Sequence, residues 1–424
     1  MKKLWYLYII VFILLSKGNK KMKLEIKGKY NSAVVMTDQI EEECVGQLVT
    51  LCSQEIFKDS QIRIMPDCHA GKGCVVGFTA SIKDRIIPNL VGVDISCSIS
   101  TYKLDVKEVD FEQLDNVIRK YVPSGMSIRS TVSKLVTNEL KAKIERVCKE
   151  IGDENGYNRH LKSIGTLGGG NHFLEINKDK DGYLWLSVHC GSRNFGKKIC
   201  DFHQDKAIRI YQERLDAKRA YALSQIPPKE RQEWLQNHIE VNKLPPELRY
   251  LDGEDLDLYV EHMKVAEEFA TVNHKVIVHE ICSHMGWNVV DSIFTHHNYI
   301  EFLGNREMII RKGAISAKKG ERVIIPLNMK DGSIVGVGKG NDEWNQSAPH
   351  GAGRVLSRGK AKSVLSIEEF QDKMVDVWSS CVSESTLDES PMAYKDMNVI
   401  IDAIGETVDI VDRIIPIYNF KAQG

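Results

Sequence analysis

From position 22 to about 107, short apolar runs alternate with Gly and Asp turns, a pattern that predicts strands. MKLEIKGKYNSAVV opens this region at Met22, and VVGFTASI and VGVDISCSIS follow. Over residues 109–152 the period changes. FEQLDNVIRKYV and VTNELKAKIERVCKEI space apolar residues three and four apart among charges, so helices are predicted there. Strands return around Phe173–Ile176 and Leu184–Val188. From about Lys197 to His284 the pattern is helical and highly charged, broken by Pro227-Pro228 and Pro245-Pro246, which should end or start helices. It reads as a helical insertion, about 205–285, in a β-rich core. Strands resume from Tyr299 to about Ile334, helices follow near Ile367–Ser379 and Met397–Ala403, and VDIVDRIIPIYNF is a closing strand. No βαβα alternation is visible. The expected fold is therefore α+β: a mixed β-sheet core with its active site in strand-end loops, flanked by helices.

The first 21 residues do not fit that pattern. Lys2 and Lys3 precede an uncharged apolar run, Leu4–Leu15, shorter than the roughly 20 residues that span a bilayer. SKGNKK follows, with no A-x-A-like cleavage site. The expectation is that translation starts at Met22, that 1–21 is a hydrophobic stub outside the native protein, and that 22–424 forms one catalytic domain.

Composition narrows the class. Hydrophobic residues make up 42% and charged residues 27%, as in a globular protein. Lys and Arg total 57 against 58 Asp and Glu, a net charge of −1, which excludes a uniformly basic nucleic-acid coat but not a local basic groove. Ten cysteines at irregular spacing, with no CxxC pair, argue for a reducing compartment, most thiols being buried hydrophobes and one or two metal ligands.

Five segments concentrate chemistry: MPDCHAGKGCVVG (Met65–Gly77), VGVDISCS (Val91–Ser98), GTLGGGNHFLEI (Gly165–Ile176) with HCGSRNFG (His189–Gly196), THHNYIE (Thr295–Glu301) and NQSAPHGAGRVLSR (Asn345–Arg358). Each sets His, Cys, Asp or Asn beside Gly in a strand-end loop, where scaffolded active sites sit. Asp94, Cys97, His172, His189 and His297 form a mixed thiolate, carboxylate and imidazole set. It suits Mn²⁺, Zn²⁺ or Co²⁺ better than Mg²⁺ or Ca²⁺. A bridging thiolate would let two ions share it; unrelated core residues are the plain alternative. GTLGGGNH offers backbone N–H groups to an anion, or simply makes a tight turn. His350, between Pro349 and Gly351, should be displayed, with Arg354 able to clamp a phosphate. It is a candidate phosphoryl or nucleotidyl acceptor, or one more metal ligand. Basic residues beside these loops, Arg311, Lys312, Lys339 and Arg358 among them, would form a positive rim for a polyanion.

Taken together, DxxC at Asp94–Cys97, GGGNHFLE, HxGSRNxG, the His-Asn pair, SAPHGAGRxxSR and a late SPxAYK resemble the RtcB family of RNA-splicing ligases, bacterial branch, from about Met22 to Lys421. The resemblance implies an RNA ligase using GTP and two Mn²⁺ per active site. It would join RNA 2′,3′-cyclic phosphate or 3′-phosphate ends to 5′-hydroxyl ends. Asp94, Cys97 and His172 would hold one ion, and Cys97, His189 and His297 the other. His297 is preferred to His296 because Asn298 follows it. His350 would carry GMP. Asn171, Glu175, Ala352, Gly353, Tyr394 and Lys421 would hold the nucleotide, with Tyr394 stacking on guanine, and Arg193 and Arg354 would bind RNA or phosphate. Cys190 replaces the commoner Ser, and IPIYNFKA departs from the usual C-terminal run. GTP and RNA ends imply a cytoplasmic enzyme without a stable membrane partner. A metal-dependent phosphoesterase that opens cyclic phosphates without ligating, and a non-catalytic RNA-binding protein, are the competing readings.

Overall fold

Two seven-stranded sheets carry the molecule. The structure, a computed structural model, describes residues 11–13, 23–237 and 244–422. The first sheet runs in spatial order Val11–Ile13, Leu24–Lys27, Ser32–Val35, Ile62–His69, Val76–Lys83, Glu307–Lys312 and Asn298–Gly304. Ser32–Val35 and Ile62–His69 pair in parallel, and the other neighbours are antiparallel. The second sheet is antiparallel throughout: Val289–His296, Ser98–Leu104, Leu184–Cys190, Phe173–Lys178, Val408–Lys421, Gly332–Gly338 and Arg322–Asn328.

The second sheet curls until its edges meet, where Arg322 donates two hydrogen bonds to Asp291 at 2.9 and 2.7 Å. Ile99, Trp185, Ile293, Ile324, Val335 and Ile414 fill the inside, with Phe173 against them. Every strand of the sheet supplies one of these side chains, as alternation in each strand requires. Leu174, Ile176, Leu186 and Val188 point outward instead, onto the helices Phe111–Tyr121 and Gly253–Met285. Each such side chain, fully buried, contributes roughly 1.5–3 kcal/mol. The fold is α+β, as the pattern predicted.

Three departures matter. VGVDISCSIS is not one strand. Asp94–Cys97 is a turn, closed by Cys97 N–H donating to the Asp94 carbonyl at 3.1 Å, and Ser96 sits at φ +56°. The edge strand Val289–His296 was not predicted, because its outer side chains are exposed and mask the alternation. The predicted insertion begins earlier and is less peripheral than expected. Its first helix, Arg193–Ser224, starts inside the HCGSRNFG segment. Its second, Gly253–Met285, buries Phe269 in the core of the first sheet and Ile277 and Ile281 in that of the second. Between 208 and 236, by contrast, no residue is buried.

Val11 pairs with Ile26 and Ile13 with Leu24. The rest of the expectation for residues 1–21 lies outside the described residues. Among those described, no helix is long and apolar enough to cross a membrane.

Candidate active site

Sheet register gathers the predicted metal ligands. His189 lies near the end of Leu184–Cys190, opposite Ile99 on one side and Phe173 on the other. Cys97 immediately precedes the strand that begins at Ser98, and His172 the one that begins at Phe173. His297 links two strands, one of them paired through His296 to Ser98. The strand ends are adjacent, so the side chains converge. Cys97 Sγ lies 3.3 Å from His189 Nε2 and 3.5 Å from His172 Nε2. Asp94 Oδ2 is 3.1 Å from the same His172 nitrogen. The rings of His189 and His297 are 5.2 Å apart. Cys97, His172 and His189 form a group that could hold a metal ion.

Neighbours fix these ligands. Asn298 donates to the Asp94 carbonyl at 3.0 Å and accepts from Gly313 N–H at 2.9 Å. His297 N–H donates to the Cys97 carbonyl at 3.0 Å. The Asn after His297 thus ties two ligand segments together. His296 turns away, its Nδ1 2.7 Å from Ser98 Oγ. Gly191 is required by close approach, since a Cβ there would stand 2.6 Å from Asp94 Oδ1. His172 Nδ1 faces the Leu167 carbonyl at 3.0 Å. Arg193 Nη1 shares that ring edge at 2.8 Å, so Nε2 is the nitrogen that faces Cys97 and Asp94.

The donor set fits divalent metal. Asp94 Oδ1 and His297 Nδ1 are enclosed and have no hydrogen-bond partner among the described residues. Burial and then neighbouring imidazoles push His189 and His297 well below the usual histidine range, so both are neutral, as ligands must be. Burial, then Asp94, pushes the Cys97 thiol up; a bound cation reverses that, because a coordinating thiol is deprotonated.

His350 stands beside this group, its ring 4.9 Å from that of His297. Asp67 Oδ2 accepts from His350 Nδ1 at 2.7 Å and from its backbone N–H at 3.1 Å. The loop lies directly on the Asp67 backbone. A Cβ on Gly353, at φ +76°, would stand 2.1 Å from the Asp67 carbonyl oxygen. Asp67 is fully buried and was missed as a site residue, although MPDCHAGKG stood out.

A cavity of about 440 Å³ opens next to His350, lined among others by Asn171, Glu175, Ala352, Gly353, Tyr394 and Lys421. The carboxyl of Glu175 is pushed up to about 7 by burial, with Asn419, Asn177 and Lys421 pulling the other way. Asn419 donates to Glu175 at 2.8 Å. Lys421 and Tyr394 both meet Glu389, at 2.5 and 2.7 Å, a residue the sequence did not flag. Arg354 lies over the Tyr394 ring at 5.1 Å and donates to the Leu356 carbonyl at 3.1 Å.

Two groups of basic residues sit elsewhere than expected. Arg193 packs on Gly168, with Nη1 2.8 Å from His172 Nδ1, on the ring edge away from Cys97. Arg311 and Lys312 are not rim residues. Arg311 is 0% exposed and pairs with Glu301 at 2.6 Å, while Lys312 caps the Cys74 carbonyl at 3.1 Å. They hold strands together by satisfying buried acceptors.

Residues 47–422 match the family described as tRNA-splicing ligase RtcB. RNA-splicing ligase RtcB1 of Escherichia coli ATCC 25922 is 30% identical over 427 residues, covering 92% of this chain and 97% of the relative. RNA-splicing ligase RtcB of E. coli K12 is 29% identical, with the same coverage of 92% and 97%. tRNA-splicing ligase RtcB of Aeropyrum pernix is 25% identical, covering 86% and 89%. The family match spans the whole second sheet, four strands of the first and every loop that carries a candidate metal ligand, and the chain therefore belongs to the RtcB family of RNA-splicing ligases and is an RNA ligase.

Proposed function

We propose that the enzyme joins RNA 2′,3′-cyclic phosphate or 3′-phosphate ends to 5′-hydroxyl ends through a GMP carried on His350, using GTP and Mn²⁺. The observation that carries this reading is the pairing of His350 Nδ1 with Asp67 at 2.7 Å. A proton held at Nδ1 leaves the lone pair on Nε2, and the carboxylate offsets the charge the ring gains when Nε2 bonds to phosphorus.

Asp94, Cys97 and His172 would hold one Mn²⁺, and Cys97, His189 and His297 the second, with the sulfur shared. When bound, the ions offset triphosphate charge and supply an activated water for opening a cyclic phosphate. Asn171, Glu175, Tyr394, Lys421 and the backbone at Ala352 and Gly353 would hold the nucleotide, Tyr394 against the base. Arg354 and Arg193 would stabilise phosphate oxygens, Arg193 after turning from His172.

His350 Nε2 attacks the α-phosphorus of GTP. A P–N bond forms, the bond to the bridging oxygen breaks, and pyrophosphate leaves. An oxygen of the RNA 3′-phosphate then attacks the same phosphorus, breaking the P–N bond and restoring neutral His350. The 5′-hydroxyl attacks the RNA phosphorus, GMP leaves with the electron pair of the broken P–O bond, and the hydroxyl proton passes to solvent. The thiolate at Cys97 requires a reducing milieu, which supports a cytoplasmic setting.

The test uses purified protein with α-labelled GTP and Mn²⁺, followed by RNA halves with 3′-phosphate and 5′-hydroxyl ends. An acid-labile, base-stable label on His350 that is lost as the halves are joined is the expected result. Joining without protein-bound label, or opening of cyclic phosphate without joining, rejects the mechanism.

A further inference from the structure

Glu389 ends a short 3₁₀ helix, Glu384–Glu389, just ahead of the turn that presents Tyr394. Its side chain is 2% exposed. Four donors meet its two oxygens. Oε1 accepts from Arg354 Nη1 at 3.2 Å and Arg358 Nη1 at 2.6 Å. Oε2 accepts from the Tyr394 hydroxyl at 2.7 Å and the Lys421 ammonium at 2.5 Å. Asp388, beside it, takes Arg358 at 2.7 Å and Lys362 at 3.3 Å.

These donors come from separate stretches: the loop after His350, the turn at 391–394 and the last strand. Arg354, Arg358, Tyr394 and Lys421 all line the cavity beside His350, and Glu389 stands behind them. Converging cations repel, and Lys421, at 4% side-chain exposure, would keep the Phe173 ring at 5.4 Å but lose its direct ion pair if Glu389 were absent. Within this cluster four cations share two carboxylates, so positive charge is left over there, at the part of the cavity wall formed by Arg354, Arg358 and Lys421; Glu41, Glu43 and Glu175 line other parts. Burial alone would raise the Glu389 carboxyl, but Lys421 and Arg358 outweigh it and hold it down at about 2, so it is ionised at any working pH.

We infer that Glu389 is a positioning residue of the nucleotide site. Its carboxylate gathers Arg354, Arg358, Tyr394 and Lys421 into one wall and leaves their surplus charge facing an anionic nucleotide. The inference rests on the proposed GTP chemistry at His350.

The experiment compares the full chain with Glu389→Gln, which keeps shape and loses charge, and Glu389→Asp, which keeps charge. GTP dependence of protein–GMP labelling, GTP dissociation constants and bound Mn²⁺ are measured. Glu389→Gln should raise KM for GTP by about tenfold or more while kcat at saturating GTP stays within about threefold, the pattern of lost binding rather than lost chemistry. Glu389→Asp should recover most of the loss, and bound metal should match the parent. Unchanged or tighter GTP binding in Glu389→Gln overturns the inference, as does a fall in kcat alone. If Glu389→Gln fails to fold, Arg358→Met takes its place, since it removes one arm whose side chain is 44% exposed. It should raise KM severalfold, and an unchanged KM overturns the inference. A parent protein that takes up no label rejects the His350 reading instead, and Glu389 is then judged on the dissociation constants.

Discussion

The two ends of the catalytic cleft solve opposite problems. At the metal end, polar atoms are brought together and left unanswered: Asp94 Oδ1 and His297 Nδ1 have no partner among the described residues, and His189 and His297 are neutral. At the other end, beside Tyr394, charges already meet one another, with the single carboxylate of Glu389 between Arg354, Arg358 and Lys421. The first end is shaped by backbone register and needs a cation to be complete. The second is shaped by ion pairs that form without a ligand and leave positive charge in excess. A site held by sheet geometry tolerates loss of its ligand, whereas one held by charge fails when a counter-charge is removed.

The sharpest break is Cys97→Ala. The sulfur stands between His172 and His189, so metal analysis should show loss of more than one ion, with labelling and joining both at background. Full activity would end the shared-thiolate model. Next is His350→Ala, which should keep its metal, take no label from GTP, and still join RNA whose 3′ end has been pre-activated with GMP. Asp67→Asn should slow labelling by roughly 10- to 100-fold, the scale for losing a partner that fixes an imidazole's tautomer.

A pH titration separates the ends more finely. Glu175 lies near 7 against an ordinary 4.5, so its charge changes in the neutral range. If its carboxylate accepts N–H groups of the base, GTP capture should rise as pH increases through about 7. The fold responds in the opposite sense. A buried acid with a raised value favours the neutral form, so stability falls as pH rises from 4.5 towards 7 and then levels. Glu175→Gln should remove both inflections, and labelling and melting curves across that window check each. The smallest effect concerns neither end. A chain beginning at Met22 should label as fast as the longer form, because Leu24–Lys27 keeps Ser32–Val35 as partner and the cavity lining begins at Glu41.

The parts legible in the sequence were those set by local rules. Strand alternation and helical period located most elements. The gathering of Cys97, His172 and His189, a group that could hold a metal ion, could be read because such chemistry demands His, Cys and Asp beside Gly, and Gly191 shows the steric reason. Asp67 and Glu389 were not legible. An acid next to Pro or Ser looks like any turn, and the partner that gives Asp67 its meaning lies 283 positions away. Where Arg193 rests was hidden too: the resemblance implied a phosphate contact, and the packing of its guanidinium on Gly168, beside His172, depends on residues more than 20 positions away. Strand order was equally hidden, because pairing is a long-range choice.

That strand order has a consequence for biosynthesis. Val408–Lys421 sits mid-sheet, between Phe173–Lys178 and Gly332–Gly338. As the chain emerges from the ribosome, the strands from 98 to 296 and the hairpin from 322 to 338 have open inner edges and no backbone pairing with each other, and meet instead through side chains such as Arg322 and Asp291. The final strand zips them together and delivers Lys421 in the same event. Contacts of such sequence separation close late and slowly. Until Val408–Lys421 is in place, the cavity beside His350 therefore lacks Asn419 and Lys421 from its wall.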